Sequence, residues 1–178
     1  DSQMSMHISS DPTTFCRGIS QLVKAASDPK YLSQWVSADQ KARATIAKEF
    51  ASSQNALNAP QVAFVSRSSL SKGDNLFVSS SMPVRDLEWF GGDCSLLQVF
   101  SNRGANGIDG VIASAIGVAI ATRQKTLVLL GDVAFLHDSS SLTALADRDV
   151  DLKIVVTDND GGGIFHYLPQ AEIVSEQV

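Results

Sequence analysis

The sequence predicts an α/β fold, a parallel sheet with helices on both faces, preceded by a helical segment. From Lys72 onward, short apolar runs recur at Asn75–Val78 and at residues 96–100, 126–130 and 152–156. Each is followed by polar or glycine-rich residues and then by a helical stretch. Strands that alternate with helices in this way build a parallel sheet whose two faces are both covered. Upstream, residues 12–54 carry apolar side chains at helical spacing: Phe15, Ile19, Leu22 and Val23, then Leu32, Trp35, Val36, Ala42, Ile46 and Phe50. Two helices joined at Asp28-Pro29 fit that pattern.

The elements differ in character. Residues 39–49 mix charges between their apolar positions, as a solvated helix face does. The helix expected after Ile108 is apolar on nearly every side and rich in small residues, the pattern of a buried helix that allows close backbone approach. Asp109 is expected to be its N-cap. There is no internal repeat and no low-complexity segment.

Composition narrows the function classes. With 178 residues, 44% of them apolar and 19% charged, the chain can bury a sizeable core. A net charge of −5, without a basic stripe, argues against nucleic-acid binding, which needs clustered Lys and Arg. Cys16 and Cys94 lie outside any metal-ligand spacing and are expected to be buried or partly buried thiols. No apolar run approaches the ~20 residues of a membrane span, and no signal peptide opens the chain. A soluble, intracellular protein is expected. The chain opens at Asp1 and closes at Val178, and both ends read as cut. Residues 1–35 are expected to be the tail of a preceding domain or a linker, and residues 36–178 the main domain, truncated at its C-terminus.

In parallel α/β sheets, ligands bind beyond the carboxyl ends of the strands. Four such places carry chemistry here: Ser79 to Arg85, Ser101 to Gly104, Gly131-Asp132, and Thr157 to Gly163. Asp132 and Asn159 each offer a side-chain oxygen at a strand end, which suits a hard divalent cation such as magnesium better than zinc. Gly161, Gly162 and Gly163 supply backbone that can approach an anion closely. Taken alone, these features are equally the chemistry of ordinary turns.

The spacing adds a resemblance. Gly131-Asp132, with Asn159 27 residues after the aspartate, resembles the bipartite motif of thiamine-diphosphate enzymes, although Val133 stands where most of them have a second glycine. Three further blocks narrow it: Ser81-Met82-Pro83-Val84-Arg85-Asp86, Ser101-Asn102-Arg103-Gly104-Ala105-Asn106-Gly107-Ile108-Asp109-Gly110, and Asp158 to Phe165 with Leu168-Pro169-Gln170. With Gly131-Asp132 they resemble the MenD family, the 2-succinyl-5-enolpyruvyl-6-hydroxy-3-cyclohexene-1-carboxylate synthases, which tolerate a non-glycine after Gly-Asp. The resemblance spans about residues 75–170; residues 1–70 match only loosely.

That resemblance implies the C-terminal, thiamine-diphosphate-binding domain of such an enzyme. Magnesium and the cofactor's diphosphate fall to Asp132, Asn159 and the Gly161 carbonyl, with Ser81, Val133, Ala134 and Gly162 also at the cofactor. Ile108 takes the place of the bulky aliphatic between the two cofactor rings. The implied reaction is decarboxylation of 2-oxoglutarate and addition of the succinyl unit to isochorismate, in menaquinone or phylloquinone biosynthesis. Arg85 and Arg103 match substrate-binding arginines beside Ser81, and an arginine fork suits carboxylate substrates. Ile164, Phe165 and Leu168 match an apolar wall near the second substrate. The activating glutamate is expected on another domain, from a second subunit, so the chain alone is expected to be inactive. A bacterial cytoplasm or a plant plastid is the implied location.

Two departures bear on the site. Ser79-Ser80 replaces a common Gly-Asn, and Asp158 replaces a common Asn. His137 and His166 are weaker candidates for acid–base work, since the cofactor's own aminopyrimidine transfers protons in this chemistry. A receiver-like domain with Asp132 as phospho-acceptor would need further acidic residues and a strand-end lysine, and neither is evident. A non-catalytic binding or scaffolding piece of a larger multifunctional chain is the other reading.

Overall fold

The computed structural model describes residues 5–24, 28–52, 57–102 and 107–168. They divide into two units, residues 1–48 and 49–178. The first holds α1 (Pro12–Leu22) and most of α2 (Pro29–Ser52), the two helices expected on either side of Asp28-Pro29. Asp11 caps α1: its carboxylate accepts the N–H of Thr14 at 2.9 Å, with Pro12 in the first turn, where no N–H is needed. Cys16 lies exposed on α1, against the expectation of a buried thiol, because this helix buries none of its residues.

The second unit is the α/β body. Its strands are β1 (Asn75–Val78), β2 (Gln98–Phe100), β3 (Thr126–Gly131) and β4 (Leu152–Thr157), all parallel in the order β2-β1-β3-β4. Helices α3 (Ala59–Ser68), α4 (Met82–Phe90), α5 (Val111–Thr122) and α6 (Asp132–Asp138) surround the sheet, with a 3₁₀ segment at Ser139–Leu145. Alternation along the strands divides the core. Leu76, Val78, Leu127 and Leu129 pack with Ala63 of α3 and Leu87 of α4 on one face. Phe77, Val128 and Leu130 pack with Val111, Ile112, Ala115 and Ile116 of α5 and Ala134 of α6 on the other. Both faces are thus covered, as the apolar runs require, and each fully buried Leu or Val contributes roughly 1.5–3 kcal/mol relative to exposure.

Two elements differ from expectation. α3 stands in a stretch that shows no strong apolar period; its start is fixed by a capping box, in which the Gln61 N–H donates to Asn58 Oδ1 at 2.9 Å and the Asn58 N–H donates to Gln61 Oε1 at 3.1 Å. α5 is covered on one side only: Val111, Ile112, Ala115, Ile116 and Ala119 are buried, whereas Ala113, Gly117 and Ile120 are exposed. Asp109 does not cap it. Gly110 is the residue before the helix, in the left-handed conformation (φ 69°), which leaves Asp109 one position too early for the extended cap geometry. The cap comes from elsewhere. Asp138, at the end of α6, accepts the N–H groups of Ile112 at 2.6 Å and Ala113 at 3.1 Å on one oxygen, and the Ser141 hydroxyl at 2.5 Å on the other. Burial opposes ionisation of Asp138, but its hydrogen bonds to Ser141, Ala113 and Ile112 outweigh it and lower its pKa below the ordinary value.

Candidate functional site

The strand order creates a switch point. The chain leaves β1 into α4 on one face of the sheet and leaves neighbouring β3 into α6 on the opposite face, so a crevice opens between the carboxyl ends of β1 and β3. Open α/β sheets bind ligands at such crevices. A cavity of about 330 Å³ lies there, lined from β1 by Ser79, Ser80 and Ser81, from β3 and α6 by Gly131 to Ala134, and after β4 by Thr157, Asn159, Gly162, Gly163 and Ile164. Gly107 and Ile108 also reach it.

Asp132 is the hub. Its Oδ2 accepts the Gly161 N–H at 2.7 Å and the Asn159 N–H at 3.4 Å, and its Oδ1 accepts the adjacent Val133 N–H at 2.8 Å. The carboxylate therefore ties the end of β3 to the turn after β4. Burial works against its charge, but the N–H groups of Val133, Gly161 and Asn159 outweigh that effect and lower its pKa below the ordinary value. The turn makes this possible by running through three consecutive left-handed residues, Asp160 (φ 61°), Gly161 (φ 76°) and Gly162 (φ 64°). Gly163 then packs under the Asn159 amide so closely that a Cβ there would lie 2.5 Å from Nδ2. The turn and the Asn159 side chain are set together.

These donors suit a hard cation. The Asp132 carboxylate, which has more lone pairs than the N–H groups it accepts, lies in one cavity with the Asn159 amide, and Gly161 adjoins both. Among the described residues no group of three His, Cys, Asp or Glu side chains gathers as a metal cluster.

On the β1 side, Ser81 opens α4 at φ 75° and ψ −135°, a region that non-glycine residues avoid at a cost of about 1–3 kcal/mol. Arg85 stabilises that conformation: its guanidinium donates to the Ser81 carbonyl at 2.6 Å. Arg85 is exposed and points to this carbonyl, outside the cavity lining. Of the apolar wall, Ile164 lines the cavity, whereas Phe165 and Leu168 are exposed beside it. Ile108 is 42% exposed at the cavity rim. Arg103 lies outside the described residues, as do Pro169 and Gln170.

The model of the thiamine pyrophosphate enzyme C-terminal TPP-binding domain matches residues 95–174. Curated relatives agree. The 2-succinyl-5-enolpyruvyl-6-hydroxy-3-cyclohexene-1-carboxylate synthase of Myxococcus xanthus is 41% identical over 78% of this chain and 24% of its own length. The enzymes of the same name from Lysinibacillus sphaericus and Chloroflexus aurantiacus are each 39% identical, over 85% and 93% of this chain and 26% and 29% of their own lengths. Residues 95–174 thus match the TPP-binding domain of thiamine pyrophosphate enzymes. The chain spans about a quarter of the length of these curated relatives, within which further domains exist.

Ser79 and Thr157, both among the strand-end residues the sequence points to, line the cavity. Asp86 lines it from α4 while only 4% exposed, and nothing in the sequence marks it out from its neighbours in the Ser81 to Asp86 block. No helix among the described residues is long and apolar enough to cross a membrane.

Proposed function

We propose that residues 36–178 form the part of a 2-succinyl-5-enolpyruvyl-6-hydroxy-3-cyclohexene-1-carboxylate synthase that holds magnesium and thiamine diphosphate. The observation that carries this reading is the Asp132 carboxylate bonded to the N–H groups of Gly161 and Asn159 at the switch point of the sheet. Asp132, the Asn159 amide and the Gly161 carbonyl hold magnesium, and the left-handed turn brings backbone amides to the diphosphate. Val133, Ala134 and Gly162 wall that end of the cofactor, and Ile108 packs against its rings.

The cofactor, when bound, supplies the carbon nucleophile that takes up a 2-oxo acid. The chain's own groups bind and orient. Ser81 fixes the ligand-facing peptide at the start of α4, and Arg85 holds that peptide through its carbonyl. Arg85 and Arg103 receive the carboxylates of 2-oxoglutarate and isochorismate, and Ile164, Phe165 and Leu168 exclude water beside the second substrate. The activating glutamate comes from another domain of a second subunit, in an intracellular assembly. The similarity of the relatives over 78% and 93% of the chain supports the substrate choice.

The reading is tested by mixing the chain with the remaining domains of a curated relative and following carbon dioxide release. Release from 2-oxoglutarate, with transfer of the succinyl unit to isochorismate, is expected only when those domains are present. Turnover by the chain alone, or equal use of pyruvate, would contradict it.

A further inference from the structure

Two buried aspartates in the second unit have opposite surroundings. Asp138, 8% exposed, accepts two backbone N–H groups and a hydroxyl, and its role is structural. Asp86, 4% exposed on α4, receives no hydrogen bond and forms no ion pair among the described residues. It faces open space instead: it lines the switch-point cavity and an adjoining depression of about 390 Å³ that it shares with Asn159, Gly163 and His166. Burial alone pushes its carboxyl above the ordinary value. Its carboxylate opens into that space, where a ligand can complete it, rather than into packed protein.

We infer that Asp86 is a ligand-facing residue of this pocket that receives a nitrogen-bearing part of the bound cofactor, an inference that rests on the cofactor reading above. The choice follows from charge. Asp86 comes from α4 and Asp132 from α6, and a carboxylate that no cation screens favours a donor N–H or a positive ring over bare phosphate oxygens. Thiamine pyrophosphate carries both, an amino group on the pyrimidine and a cationic thiazolium, joined to the diphosphate by a short linker. Asp86 and Asp132 lie on the same cavity from α4 and α6, so one ligand can meet both.

The test compares two probes by calorimetry with magnesium present: thiamine pyrophosphate and inorganic pyrophosphate, titrated into the chain and its Asp86→Asn, Asp86→Ala and Asp132→Ala variants. Asp86→Asn and Asp86→Ala are expected to weaken thiamine pyrophosphate binding about tenfold or more, and to leave pyrophosphate binding within about twofold. Asp132→Ala weakens both probes. Unliganded Asp86→Asn melts no lower than the unsubstituted chain, because it removes an unpaired buried charge without changing side-chain shape. Three outcomes overturn the inference: unchanged thiamine pyrophosphate affinity in Asp86→Asn, equal loss for both probes, or a lower melting temperature that reveals a structural partner. If the unsubstituted chain binds neither probe, or Asp132→Ala changes neither, the cofactor reading itself fails.

Discussion

The N–H of Gly161 donates to Asp132 Oδ2 at 2.7 Å, joining residues 29 apart in sequence at the ends of adjacent strands β3 and β4. The bond exists because the β3–β4 register places Gly131 beside Thr157 and because the chain then turns through left-handed backbone. Substitutions in that turn therefore act on the site and on the fold in different proportions, and the two can be separated.

Gly161→Ala places a methyl group where φ is +76° and the new Cβ meets Val133 Cγ2 at 3.1 Å. Left-handed strain of this kind costs about 1–2 kcal/mol for an L-residue. Lower stability in denaturant titration and weaker thiamine pyrophosphate binding are both expected. Unchanged stability would show that the turn relaxes without the glycine.

Gly163→Ala should behave differently. Its backbone is not left-handed, and the added Cβ would meet the far end of the Asn159 side chain, which can move. We expect a small change in stability and a marked loss of magnesium-dependent cofactor affinity, read by calorimetry. Full retention of affinity would remove Asn159 from the ligand set.

Asp138→Ala removes the cap that α6 supplies to α5, with an expected loss of about 1–2 kcal/mol. The pKa of Asp138 is lowered in the folded state, so its contribution is present above the unfolded value of about 3.9 and is lost as pH falls through the folded value. The stability gap between the variant and the unsubstituted chain, followed by thermal melting, should hold at neutral pH and close as the solution is acidified below about pH 4. A gap that widens on acidification would reverse the assignment.

Asn75 provides a control remote from the site. It is fully buried at the start of β1, and its Nδ2 donates to Thr122 Oγ1 at 2.6 Å and to Thr126 Oγ1 at 2.9 Å. Asn75→Ala should cost about 1–3 kcal/mol in denaturant titration. Cofactor affinity of the folded fraction should not change, because the strand's other end faces the cavity.

The four strands and the positions of Asp132 and Asn159 were legible in the sequence because apolar runs and strand-end polar residues are local patterns with a direct spatial meaning. The Asp138 cap was not legible: donor and acceptor are 26 residues apart, and only the packing of α6 against α5 brings them together. Asp109, adjacent in sequence and chemically suitable, was the natural expectation, and the left-handed Gly110 displaced it. The capping box of α3 was present as Asn58 and Gln61, but the weak apolar period that followed hid the helix. The strained backbone of Ser81 leaves no compositional mark, because a serine there reads as an ordinary N-cap.

The central claim is that Asp132 anchors magnesium and the cofactor diphosphate. Its most direct test is calorimetric titration of thiamine pyrophosphate into the chain with and without magnesium, repeated on Asp132→Ala. Binding that requires magnesium and falls at least about tenfold in the variant is the predicted result; binding that is indifferent to magnesium, or equal in the two proteins, would contradict it.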